Sequence, residues 1–222
     1  MELLLWFWDV VVHLDRHLAV LLQQYGGWIY LILFAIVFCE TGLVVTPFLP
    51  GDSLLFVAGT LWAAAGMRVE MLAATLIAAA LCGDNVNYWV GRYIGPRVFR
   101  WEQSRWFNRR ALDMTHEFYE RHGGKTIIIA RYVPLVRTFA PFVAGVGRMS
   151  YPRFLAYSVF AAALWVLSLT YAGYFFGNIV VVRENLTLVI FGIIGLSLMP
   201  LAIGYLRHRA QARRLAAPRG NA

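Results

Sequence analysis

The chain has 222 residues, 60% of them hydrophobic and 14% charged, with a mean hydropathy of +0.61. That leaves too little polar side chain to coat a water-soluble fold, whereas a bilayer core about 30 Å thick takes roughly 20 apolar residues per helical crossing, a length several stretches reach. The net charge of +8 does not point to nucleic acid, because the arginines crowd the flanks of apolar segments, where orientation in a membrane accounts for them.

Residues 3 to 22 mix Leu, Trp, Phe and Val with Asp9, His13, Asp15, Arg16 and His17. Five ionisable groups are too costly for an unassisted crossing, so 1–24 is predicted to lie as an amphipathic helix in the interface. No basic region precedes the apolar stretch and no small-residue cleavage site follows, so it does not read as a cleaved signal peptide.

From Trp28 to Val45 the chain is apolar except for Glu40 and Thr41, and Thr46-Pro47-Phe48-Leu49-Pro50-Gly51-Asp52 then breaks any helix. Apolar residues resume from Leu54 to Ala65, too short a run to span, so about 28–66 is predicted as a re-entrant hairpin rather than two crossings joined by a surface loop. A transmembrane helix follows at about 71–92, then a basic amphipathic linker at 93–125 on the cytoplasmic surface. His122, beside Gly123 and Gly124, reads as a surface residue rather than a proton relay. The stretch at about 126–149 is again apolar but broken, by Arg131, Pro134, Arg137 and Pro141, and is predicted as a second hairpin. Helices at about 154–177 and 186–206 complete a membrane domain over 25–206, and the Arg-rich tail 207–222 anchors the chain in the cytoplasm. Cys39 and Cys82 lie inside apolar runs and imply no disulfide framework.

The broken segments resemble each other. Phe56-Val57-Ala58-Gly59 recurs as Phe142-Val143-Ala144-Gly145, Ala78-Ala79-Ala80-Leu81 as Ala161-Ala162-Ala163-Leu164, and Tyr88 with Gly91 and Gly95 as Tyr171 with Gly173 and Gly177. Short apolar matches arise by chance, but three in the same order favour a repeat. The first half's crossing ends against the basic linker and the second's must end outside, so the repeat is inverted, as in many secondary transporters. The predicted fold class is all-α: a polytopic membrane protein built as an inverted repeat of re-entrant hairpin plus transmembrane helix.

That arrangement brings Glu40 and Asp52 to face Arg131 and Arg137 inside the membrane. Each charge alone at the bilayer centre costs about 2.5–3.5 kcal/mol. Salt bridges that merely pin the hairpins are one reading, yet buried ion pairs are often replaceable by apolar residues without loss, which makes pure structure a weak reason for them. The other reading is a cavity at the hairpin tips. There Glu40 and Asp52 exchange protons near neutral pH, Arg131 and Arg137 hold phosphate oxygens with their planar forks, and Pro47, Pro50, Gly51, Pro134 and Pro141 free backbone donors at helix ends. Asp84, Asn87, Tyr88 and Gly91 share one helical face, with Arg92 beside them, and form a secondary polar stripe whose plainer reading is packing within the bundle.

The set Glu40, Phe48-Leu49-Pro50-Gly51-Asp52, Gly83-Asp84 with Tyr88 and Gly91-Arg92, His122-Gly123, and Arg131-Tyr132-Val133-Pro134 running into Arg137-Thr138-Phe139-Ala140-Pro141 with Ala144-Gly145 and Met149 resembles the bacterial DedA family, within the SNARE-associated or VTT-domain superfamily. The resemblance covers roughly Tyr25 to Leu206. It implies a protein of the bacterial cytoplasmic membrane, needed for envelope homeostasis and dependent on a proton or sodium gradient, in a family whose members are assigned the return of undecaprenyl phosphate across the bilayer and whose eukaryotic relatives scramble phospholipids. It further implies that the acids matching Glu40 and Asp52 and the arginines matching Arg131 and Arg137 are required.

The expected function is therefore a gradient-dependent flippase or scramblase of a lipid phosphate, with a membrane lipid and protons or Na+ as partners, no cofactor or metal, and no chemical catalysis. Alternatives are an ion-coupled carrier of a small solute and a membrane-organising scaffold, and the paired glycines allow a homo-oligomer. A lipid-phosphate enzyme is disfavoured because no paired His motif, ligand cluster or activated nucleophile is visible.

Overall fold

The computed structural model describes residues 14–42, 51–98 and 124–176, with Ile179 and Gly192. Every regular element among them is helical. Helix α1 (Leu14–Tyr25) passes through a 3-10 turn at Gly26–Trp28 into α2 (Ile29–Gly42), followed by α3 (Gly51–Ala64), α4 (Val69–Val98), α5 (Lys125–Ala130), α6 (Pro134–Val146) and α7 (Tyr151–Phe176).

Hydrocarbon offers no hydrogen bonds, so an apolar chain there satisfies its backbone by coiling. Among the described residues three stretches are long and apolar enough to cross a membrane, Arg16–Gly42, Val69–Ile94 and Tyr151–Phe176. The chain is thus an all-helical, multi-pass membrane protein. The helix expected over 1–24 is described from Leu14 onward, and there it runs into α2 as part of the first of these stretches. The first proline turn with Pro47 and Pro50, the linker from residue 99 to His122 and Gly123, the crossing expected at 186–206 apart from Gly192, and the basic tail lie outside the described residues.

On α2 a stripe at Ile29, Leu33, Val37 and Glu40 is buried, while Leu31, and Trp28 in the turn before it, are exposed. The three- and four-residue spacing turns one side of an otherwise apolar helix toward the protein. This stripe meets Leu72, Leu76, Ala79 and Ala80 of α4, Leu55 and Trp62 of α3, and Ala162, Trp165 and Val166 of α7 in one core.

The pairs α3–α4 and α6–α7 follow the same path. Each short helix ends on a left-handed residue, Gly66 at φ +64 and Arg148 at φ +53. In each the next residue, Met67 or Met149, donates its backbone N–H back to Trp62 or Ala144. The long helix then begins within three residues of that turn, at Val69 or Tyr151.

Each short helix is seated on the long helix of the other pair. Gly59 lies against the Thr170 carbonyl and Gly173 against the Phe56 carbonyl. In the matching crossing, Gly145 lies against the Tyr88 carbonyl and Gly91 against that of Phe142. A Cβ at any of the four would enter that backbone, so the glycines are what allow the helices to touch. The packing sets Thr170, rather than Tyr171, where Tyr88 stands in the first pair.

Candidate functional site

Pro134 opens α6 at a position where a missing N–H costs nothing, after Val133 in the extended conformation that a residue before proline favours. That start fixes Arg137 in the first turn. Pro141, four residues on, has no N–H to return to the Arg137 carbonyl. Arg131 caps the six-residue α5, Glu40 lies near the end of α2, and Asp52 follows Gly51 at the start of α3.

These helices bring Arg137 between two carboxylates. Its Nη2 donates to Glu40 Oε1 and its Nη1 to Asp52 Oδ1 at 2.5 Å. The side chains of Arg137 and Glu40 are 4% and 1% exposed and that of Asp52 14%, so Asp52 is the member nearest the outside. Gly51 packs directly on the Glu40 carboxylate, where a Cβ would collide, and its backbone N–H is hydrogen-bonded to it. Glu40 therefore occupies the start of α3, where helix N–H groups favour an anion.

Arg131 does not share the pairing expected for it. Its Nη1 donates to Asp84 Oδ2 at 2.6 Å, and the Ser158 hydroxyl donates to the same oxygen at 2.6 Å. Because α5 packs against α6 and α7, the arginine at its end reaches α4 instead of the acids on α2 and α3. The result is an acid–base–acid cluster at Arg137 and a separate pair at Arg131.

One residue that the sequence reading passed over joins them. Trp165 of α7 is buried, lies 5.0 Å by its ring centroid from the Arg131 guanidinium carbon and 5.2 Å from that of Arg137, and donates Nε1–H to Asp52 Oδ1 at 2.9 Å. Its signal was its place. Membrane tryptophans gather at interfaces, and one in the middle of a crossing calls for a polar partner for its N–H.

The remaining stripe makes its hydrogen bonds within the bundle. Asn87 Nδ2 donates to the carbonyls of Thr41 at 2.5 Å and Thr138 at 3.3 Å, tying α2, α4 and α6 together just below the charges. The Tyr88 hydroxyl donates to the Met149 carbonyl at 2.5 Å, and Arg92 donates to that hydroxyl at 2.9 Å and to the same carbonyl at 3.3 Å. Both pin the turn between α6 and α7. Of the expected hairpin-tip set, Gly51, Pro134 and Pro141 stand at or beside the cluster.

Several polar atoms here are buried without a hydrogen-bond partner: Arg131 Nε and Nη2, Arg137 Nε, Glu40 Oε2 and Asp84 Oδ1. Each such group costs about 1–3 kcal/mol, far more than packing alone requires a membrane bundle to bear. Spare guanidinium donors beside an apolar core suit the oxygens of an anion.

Comparison with known proteins gives a consistent picture. The VTT domain model matches residues 49–175. The chain is 56% identical to Protein DedA of Escherichia coli strain K12 over 97% of its own length and 100% of that protein. It is 42% identical to an uncharacterized membrane protein of Mycobacterium leprae over 80% of each chain. With inner membrane protein YqjA of Escherichia coli strain K12 it shares 36% identity over 68% of its own length and 69% of that protein. No solved structure matches.

Proposed function

Since the chain belongs to the DedA family of VTT-domain membrane proteins, we propose that it is a transporter of the bacterial inner membrane that moves a lipid phosphate between leaflets in exchange for the energy of a proton or sodium gradient. The observation that carries this reading is Arg137 held by two carboxylates away from water. Undecaprenyl phosphate and phospholipids are the cargo classes considered.

The paired carboxylates stand where phosphate oxygens would sit. Proton uptake by Glu40 and Asp52 removes the charges that hold Arg137, and the freed guanidinium, with Arg131 nearby, takes the anionic head group. Release to the other leaflet returns the acids to Arg137 and gives up the protons. Asp52, the more exposed acid, is the side chain through which the pair meets the proton source, and Glu40 is the inner one. Asp84 faces Arg131 and keeps that arginine compensated meanwhile.

The reciprocal seating of α3 on α7 and α6 on α4 supports an inverted repeat of re-entrant hairpins whose two arrangements give alternating access. The reading includes a cytoplasmic carboxy-terminal tail and transport without chemical change of the lipid.

The test is reconstitution in vesicles with a short-chain polyprenyl phosphate, following its leaflet with and without a pH gradient. Gradient-dependent movement lost in Arg137→Ala and Glu40→Gln is the expected result. Flux of protons or Na+ with no lipid movement would favour a small-solute carrier instead.

A further inference from the structure

The two helix pairs share their glycine contacts and the path of their turns, but they differ at a position that faces the charged cluster. Counting back eight residues from the matched glycines Gly91 and Gly173, α4 carries Gly83 where α7 carries Trp165. Gly83 lies directly on the Thr41 side chain, and its contact leaves no room for a Cβ. The packing common to both pairs is thus met at this level by a residue with no side chain, so Trp165 answers to something else.

What it touches identifies that role. The ring has Arg131 and Arg137 within cation–π range at 5.0 and 5.2 Å, and its N–H holds Asp52 Oδ1, the oxygen to which Arg137 also donates. The guanidinium nitrogens left over, Arg131 Nε and Nη2 and Arg137 Nε, are buried and unpartnered. A guanidinium whose carboxylate has been neutralised has no water to turn to. The ring face is the partner that remains, since its quadrupole does not change when an acid takes a proton.

We propose that Trp165 is a positioning residue that holds Arg137 in place beside Arg131 for a phosphate monoester while the Glu40 and Asp52 carboxylates are disengaged from it. The inference rests on the lipid-phosphate reading above. It names the aromatic face, rather than the bulk of the side chain, as what sets affinity for the anion.

The full-length protein, purified in detergent, is titrated with farnesyl monophosphate, with inorganic phosphate and farnesol as separate arms. The expected result is about tenfold weaker farnesyl monophosphate binding in Trp165→Leu and Trp165→Met, and a loss of no more than about threefold in Trp165→Phe, which keeps a ring but lacks the N–H. Thermal midpoints of the variants are measured alongside, so that affinity is compared among proteins of equal stability. If Trp165→Leu does not purify, Trp165→Met carries the same prediction.

Unchanged affinity in the Leu or Met variant, or equal loss in the Phe variant, overturns the inference while an Arg137→Ala loss leaves the transport reading standing. Wild-type affinity in Arg137→Ala overturns both. Binding of inorganic phosphate with the same dependence on Trp165 supports the positioning role and identifies the free anion as a ligand, whereas binding of farnesyl monophosphate alone assigns it to a lipid head group.

Discussion

At the scale of single residues the site is a balance of charges that only tolerate each other in pairs. Removing one partner of a buried ion pair costs about 3–5 kcal/mol, whereas replacing both by apolar residues is often neutral. Arg131→Met should therefore lower thermal stability in detergent by about that amount through an orphaned Asp84, and the double change with Asp84→Leu should restore much of it. Transport that returns with stability would show the pair to be structural. Gly51→Ala probes the other cluster, because its methyl displaces the Glu40 carboxylate from Arg137. The expected outcome is a folded protein with transport reduced at least tenfold, read in the vesicle assay. A third expectation concerns the competition itself. If the carboxylates compete with the anion for Arg137, Glu40→Gln with Asp52→Asn should tighten farnesyl monophosphate binding at fixed pH, read by titrating the purified protein. Glu40, Asp52, Arg131 and Arg137 were legible because charge in hydrocarbon is conspicuous in any sequence, while Asp84 was read there mainly as packing. Their partnering was not, since nothing local says that Arg131 will meet Asp84 and Ser158 rather than Glu40, and Trp165 was hidden among the other aromatics of its crossing.

At the scale of elements, the breaks were readable and the joints were not. Pro134 marked a break and the Phe-Val-Ala-Gly recurrence marked a repeat, because proline and glycine act through backbone geometry that sequence displays directly, whereas the seating of Gly59 and Gly145 on opposite helices is seen only in the fold. The offset of one residue between Tyr171 and Thr170 came from the contact itself. The two caps differ in a testable way. Gly66 adopts its left-handed backbone freely, whereas Arg148 pays for a Cβ at φ +53. Arg148→Gly should stabilise the protein by about 1 kcal/mol, visible as a raised thermal midpoint with transport unchanged. By contrast Gly145→Leu, driving a side chain into the Tyr88 carbonyl, should separate α6 from α4 and leave little folded protein.

At the scale of the molecule, neither helix pair is complete without the other, since the surface on which each short helix rests belongs to the opposite pair. Arg137 on α6 closes ion pairs across 85 residues of chain to Asp52 on α3 and across 97 to Glu40 on α2. A ribosome adding 5–20 residues per second makes the acids roughly 5–20 s before their arginine exists. During that interval the nascent amino-terminal half carries Glu40 and Asp52 without Arg137, the partner they share in the folded protein. Membrane quality control can then act as a clock: a message truncated before Arg131 yields a fragment destined for proteolysis, and a pause engineered into the intervening stretch should lower the yield of intact protein without altering a single side chain.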